Sequence, residues 1–155
     1  AFGEATDSNV RVVVTQLPRM KRVVLHGGDY PLADLVAASS SVPALLAPHS
    51  VGGKRYVDGG VRSGVSVDLA DPASLLVVIA PLAGAMFGPF GRFVDKRTDA
   101  EQRDWSTHNL GQFLEFSPRS ATAHIATRPQ HLFDKARAID AYHHGRSEAA
   151  VRAIE

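Results

Sequence analysis

The chain has 155 residues, of which 45% are hydrophobic and 21% charged, and its formal net charge is +1. These proportions are those of a folded globular protein rather than a disordered one, and the near-neutral charge gives no electrostatic reason to expect a nucleic-acid partner. The absence of cysteine excludes disulfides and thiolate metal sites, and no apolar run approaches the roughly 18 residues of a membrane span.

The first third of the chain predicts a β-hairpin, a short helix and a further strand. Asn9–Leu17 is dense in β-branched residues and Lys21–His26 follows it after a turn, so the two segments are expected to pair. Leu32–Ser40 is compact and apolar with an acid in its first turn, which is typical of a short helix. Two prolines then force an irregular path, after which Lys54–Val57 predicts a short strand that ends at Asp58.

The middle of the chain is its most apolar part. Leu75–Ala80 is an unbroken apolar run, as expected for a central strand covered on both faces. Residues 81–93 interleave glycines and prolines with large apolar side chains. Because such an irregular apolar segment is costly to leave in water, we expect it to pack over a site or to meet a lipid or partner.

The last third predicts helices around one strand. Thr98–Glu101 has the pattern of a capping box, so a helix is expected to begin there. Ala121–Thr127 predicts a strand, and Leu132–Glu155 has helical spacing that is interrupted near Gly145. Strands and helices that alternate only partly, together with the hairpin, predict an α/β fold with a mixed sheet.

The acid at the end of the short strand predicted at Lys54–Val57 is the strongest candidate for chemistry. Asp58 is followed at once by Gly59 and Gly60, which carry no Cβ, so that the backbone can bend through φ > 0 and leave room beside the carboxylate. The alternative is that Asp58-Gly59 is an ordinary β-hairpin turn, one of the commonest uses of that dipeptide.

The stretch from residue 36 to residue 70 resembles the patatin-like phospholipases, lipid acyl hydrolases that use a Ser/Asp dyad. The resemblance has three parts: a small-residue run before a proline, an aromatic-aliphatic-Asp-Gly-Gly motif, and an aliphatic-acid-aliphatic-Ala run. The matching positions are Ala38, Ser39, Ser40, Val42, Pro43, Leu45, Leu46, Pro48, Tyr56, Val57, Asp58, Gly59, Gly60, Val67, Asp68, Leu69 and Ala70. The chain departs from the family at Ser63, where Asn is usual, and at Ser66, where Pro is usual.

The resemblance implies that residues 1–155 are the C-terminal portion of a layered α/β/α patatin-like hydrolase domain. The chain contains no Gly-x-Ser-x-Gly nucleophile elbow, and no Gly-rich oxyanion loop is recognised in it. The serine is therefore expected on a missing N-terminal segment, and this chain alone is expected to be inactive. A non-catalytic binding or scaffolding module is the alternative, which the missing elbow and the two substitutions favour slightly.

The resemblance further implies that Asp58 is the catalytic base, supported by Gly59 and Gly60, with a lipid or carboxylic ester as substrate and no cofactor. Phe87 and Phe90 are candidates for contact with acyl chains, and a core or homo-oligomer contact is their alternative. No metal site is expected, because the adjacent His143 and His144 would point about 100° apart on a helix. The compartment stays open, with a cytoplasmic or peripherally membrane-associated location and transient membrane contact as the expectation.

Overall fold

The computed structural model describes residues 3–81, 89–118, 124–125, 127–128, 131 and 133–152, without the side chains of residues 89–95 and 149–152. The chain divides into two compact units, residues 1–63 and residues 64–155. Each unit contains both helix and strand, which agrees with the predicted α/β class. The layered α/β/α arrangement stays an expectation of the resemblance.

The first unit is built on an antiparallel sheet with strand order β2-β1-β4-β3. The predicted hairpin is confirmed, because β1 (Arg11–Gln16) pairs with β2 (Lys21–His26) along its whole length. Strand β3 (His49–Val51) joins β4 (Lys54–Asp58) through a two-residue turn. This second hairpin was not expected from the sequence, which predicted only β4.

A single helix covers one face of this sheet. Helix α1 (Leu32–Ser39) forms where the sequence predicts it, and it buries Leu35 and Ala38. These two side chains pack with buried residues of all four strands, namely Val14, Leu25, Val51 and Tyr56. Since burial of an aliphatic side chain contributes about 1.5–3 kcal/mol, this small core is what holds β4 in place beneath the helix.

The second unit has a two-stranded parallel sheet. Strand β5 (Leu75–Ile79) and strand β6 (Gln112–Phe116) are connected through helix α2 (Pro89–His108), as the parallel direction requires a crossover. The core of this unit lies between sheet and helix and contains Val67, Val78, Ala80 and Trp105.

One face of the second sheet is open, which corrects the expectation that β5 is covered on both faces. Leu75, Val77 and Ile79 are 48%, 46% and 73% exposed. The side chains of β5 alternate between the two faces, and α2 provides packing partners for only one of them. An unbroken apolar run therefore does not by itself show that both faces of a strand are buried.

The predicted helix boundaries are wrong in two places. Helix α2 already runs from Pro89, so Thr98–Glu101 lies within it and is not a capping box; Glu101 instead pairs with Arg97 one turn earlier, at 3.5 Å. Helix α3 (Lys135–Arg152) continues through Gly145 without interruption, because a glycine only lowers helix propensity and nothing else breaks the turn there. The predicted strand 121–127 falls largely outside the described residues; His124 and Ile125 form a turn.

Candidate functional site

The candidate carboxylate is held at the C-terminal end of a strand that is paired on both sides. In β4, Tyr56 lies opposite His49 of β3, and Asp58 lies opposite Val14 of β1. The backbone N–H of Asp58 donates to the carbonyl oxygen of Ser41 at 3.0 Å. Strand β1, strand β3 and the segment at Ser41 therefore hold the end of β4, and with it the main chain of Asp58, in position.

The Asp58 side chain is partly buried and is stabilised by one backbone donor. Its Oδ1 accepts a hydrogen bond from the N–H of Gly60 at 2.7 Å. Burial raises the pKa of Asp58 above its ordinary value, and the Gly60 hydrogen bond opposes this shift without cancelling it. No cationic side chain forms an ion pair with Asp58 among the residues described. The carboxylate is thus a stronger base than a solvated one and is not neutralised by an ion pair.

The two glycines serve different purposes, and neither needs a positive φ. A Cβ on Gly59 would lie 2.3 Å from the carbonyl oxygen of Val13, so a side chain is excluded by the backbone of β1. A Cβ on Gly60 would lie 3.0 Å from Asp58 Oδ1, so this glycine leaves space beside the carboxylate. The φ > 0 that glycine permits is used at neither position, since residues 59–61 form a 3-10 turn.

The hairpin-turn interpretation of Asp58-Gly59 is wrong. The reversal of the chain occurs earlier, at Gly52 and Gly53, where φ is +54° and +74°. Positive φ at both central residues is a requirement of the type I′ turn, one of the two turn types that suit a two-residue hairpin between right-twisted strands. The Gly-Gly pair between His49–Val51 and Lys54–Asp58 was the sequence signal for this turn.

The small-residue run before Pro43 contributes to the site through its backbone. Ser41 is buried, its hydroxyl donates to the carbonyl oxygen of Ala37 at 2.8 Å, and its own carbonyl oxygen accepts the Asp58 N–H. The hydroxyl of Ser39 donates to Val36 at 3.4 Å. Ser41 therefore fixes the end of β4 against the end of α1, a role that sequence reasoning did not assign to it.

The loop after the acid differs locally from what the resemblance implies. Ser66 has φ of +52° and ψ of +42°, in the left-handed region. Proline cannot adopt this conformation, because its ring restricts φ to about −65°. Ser66 therefore has a backbone conformation that proline, the usual residue of the family at this position, could not adopt.

The remaining sequence predictions concern Phe87 and Phe90, metal binding and membrane spans. Phe87 lies outside the described residues, and the side chain of Phe90 does too. In the part of the chain that the structure describes, no group of three His, Asp or Glu side chains could hold a metal ion. No helix in that part is long and apolar enough to cross a membrane.

Comparison with known proteins connects this site to a family. Residues 5–71 match the family model described as patatin-like phospholipase. The matched segment contains all of β1 to β4 and α1, as well as Asp58, Gly59 and Gly60. A search of curated proteins finds no match to the chain. The match associates this segment with lipid hydrolases and is silent on the activity of the chain itself.

Proposed function

We propose that this chain supplies the carboxylate base of a Ser/Asp dyad in a patatin-like lipid acyl hydrolase. Asp58 is the base, and the serine comes from polypeptide outside these 155 residues. The observation that carries the proposal is a partly buried carboxylate, without an ion-pair partner among the described residues, at the end of a strand inside the matched segment.

The chemistry needs a base that can take the serine proton directly. As the serine oxygen attacks the ester carbonyl carbon, its proton passes to the Asp58 carboxylate. The tetrahedral intermediate then collapses, and Asp58 returns the proton to the leaving alcohol. Water hydrolyses the acyl-enzyme by the same steps, again with Asp58 as the base. An ordinary aspartate, with a pKa of about 3.9, is a weak base at neutral pH, so the burial that raises the pKa of Asp58 favours this role.

The test is hydrolysis of a short-chain nitrophenyl ester by the full-length protein and its Asp58→Asn variant. We expect kcat/KM to fall at least about 100-fold, since general-base catalysis contributes about 10²–10⁴. In the wild type, kcat/KM should rise with pH as Asp58 loses its proton. The matched control is Asp29→Asn, which removes an exposed carboxylate of the same unit. Equal rates for wild type and Asp58→Asn would exclude Asp58 as the base.

A second candidate function is a non-catalytic binding or scaffolding module of the same fold. What favours it is that Asp58 already has a structural use, since it caps the turn at residues 59–61 through Gly60. The left-handed conformation of Ser66 also supports it. This candidate predicts that the full-length protein has no esterase activity and that Asp58→Asn changes only stability.

A further inference from the structure

Two short basic segments, residues 19–22 and 54–55, meet at one end of the first sheet. Arg19 lies in the β1–β2 turn, Lys21 and Arg22 begin β2, and Lys54 and Arg55 begin β4. We call these five residues the basic rim. In the sequence each segment is too short to suggest a partner, and only strand pairing brings them together.

The register of the strands shows how close they are. Gln16 at the end of β1 lies opposite Lys21 on one side and Tyr56 on the other, and the N–H of Leu17 donates to the carbonyl oxygen of Arg55 at 2.9 Å. The main chains of Lys21 and Arg55 are thus separated by two strand spacings, about 10 Å. Because side chains alternate between the two faces of a sheet, Lys21 and Lys54 lie on one face at this end, and Arg22 and Arg55 lie on the other. Both segments therefore contribute a basic side chain to each face.

The rim has no acidic residue of its own. Residues 15–25 and 49–57 contain no Asp or Glu. Four of the five cations, all but Arg22, are exposed, and none of these four forms an ion pair within the described residues. The near-zero net charge of the whole chain thus conceals a local concentration of positive charge.

An apolar side chain stands at the tip of the same turn. Met20 is 38% exposed and has φ of +51°, and Pro18 beside it is also exposed. Cations around a protruding apolar tip suit an interface that is anionic at its surface and apolar below it. Nucleic acid fits less well, because the rim has no exposed aromatic ring on which a base could stack; Tyr56 is buried.

We infer that the basic rim docks this protein on the surface of an anionic phospholipid membrane. The inference deepens the proposed function and rests on it for its biological meaning, since a lipid hydrolase must reach its substrate at such a surface. The rim and Asp58 occupy opposite ends of β4, four residue steps or about 13 Å apart. The rim and the carboxylate are therefore separate sites, so that substitutions in the rim leave Asp58 in place.

The experiment is co-sedimentation of the protein with vesicles of phosphatidylcholine alone or mixed with phosphatidylglycerol. The test variant is Lys54→Glu with Arg55→Glu; the control variant is Arg103→Glu with Lys135→Glu, an equal change of net charge at exposed positions in residues 64–155. One basic residue near an anionic surface is worth about five-fold in partitioning. We expect binding to the mixed vesicles only, a loss of at least about 25-fold in the test variant, and a clearly smaller loss in the control.

Several results would overturn the inference. The first is that the protein does not bind the mixed vesicles at low salt. The second is that both double variants lose vesicle binding equally. The third is that binding persists in 1 M salt, where the screening length falls to about 3 Å. Binding of duplex DNA without binding of vesicles would overturn it in favour of nucleic acid. Competition by free glycerol phosphate would indicate a single-anion site instead of a surface. Vesicle binding needs no turnover, so the inference can fail or hold independently of the Asp58→Asn esterase result.

Discussion

Replacing Gly59 with alanine tests the close approach that positions the candidate base. The added Cβ would lie 2.3 Å from the carbonyl oxygen and 2.8 Å from the carbonyl carbon of Val13, whereas ordinary van der Waals contact begins at 3.4 Å. The shortfall is 3.4 − 2.3, or 1.1 Å, to an atom of the main chain. No rotamer change can relieve it, because Val13 belongs to a strand that is paired on both sides.

The expected cost follows from the need to move a strand. Overpacking by one methyl group in a tightly packed region costs about 1–3 kcal/mol, and a backbone neighbour places this case at the upper end. We expect Gly59→Ala to lower the free energy of unfolding by about 2–3 kcal/mol. For a urea m-value of about 2 kcal/mol/M, the midpoint moves down by about 1 M or more. Hydrogen exchange of the β1 amides should accelerate, because β1 carries the clash.

The matched control is Gly28→Ala in the same unit. Its Cβ would lie 3.4 Å from the Cβ of Ser8, an ordinary contact, and Gly28 has no positive φ. We expect this change to be neutral or to stabilise by about 0.5 kcal/mol through the unfolded chain. If the free energies of unfolding of Gly59→Ala and Gly28→Ala differ by less than about 0.5 kcal/mol, Gly59 does not approach Val13 closely. The positioning of Asp58 by that contact is then refuted.

Two further predictions concern the acid and the loop that follows it. The pKa of Asp58 is raised in the folded state, so its contribution to stability is fully present below the ordinary value of about 3.9 and is lost as pH rises through the raised pKa. In urea unfolding, the stability of Asp58→Asn should therefore increase relative to that of wild type as pH rises across this window. A difference in stability that stays constant from acid to neutral pH would contradict the raised pKa. Ser66→Pro should destabilise the protein by about 3 kcal/mol or more, since proline cannot reach φ of +52°; a Ser66→Pro variant as stable as wild type in thermal unfolding would mean that the loop takes another conformation.

Much of the first unit could be predicted because its signals are local. The β-branched run of β1, the turn after it and the acid in the first turn of α1 each act within a few residues, and all three elements form as expected. The position of Asp58 at a strand end was likewise predicted from its immediate neighbours.

The errors arise where distant contacts decide. The Thr98–Glu101 pattern has the residues of a helix start, but the helix around it is already formed. The β5 sequence is apolar enough for two buried faces, yet only one face has packing partners within its unit. In both cases the local pattern permits several outcomes, and the neighbouring elements select one.

The sequence by itself determined which residue types stand at the candidate site: one acid at a strand end followed by two residues without side chains. Only the tertiary structure decided why those glycines are needed, since Gly59 meets the backbone of a strand 46 residues earlier, and only it joined two weak basic segments into one rim. The physical reason is that secondary structure depends on neighbours along the chain, whereas contact, burial and local charge depend on which strands pair and in what register.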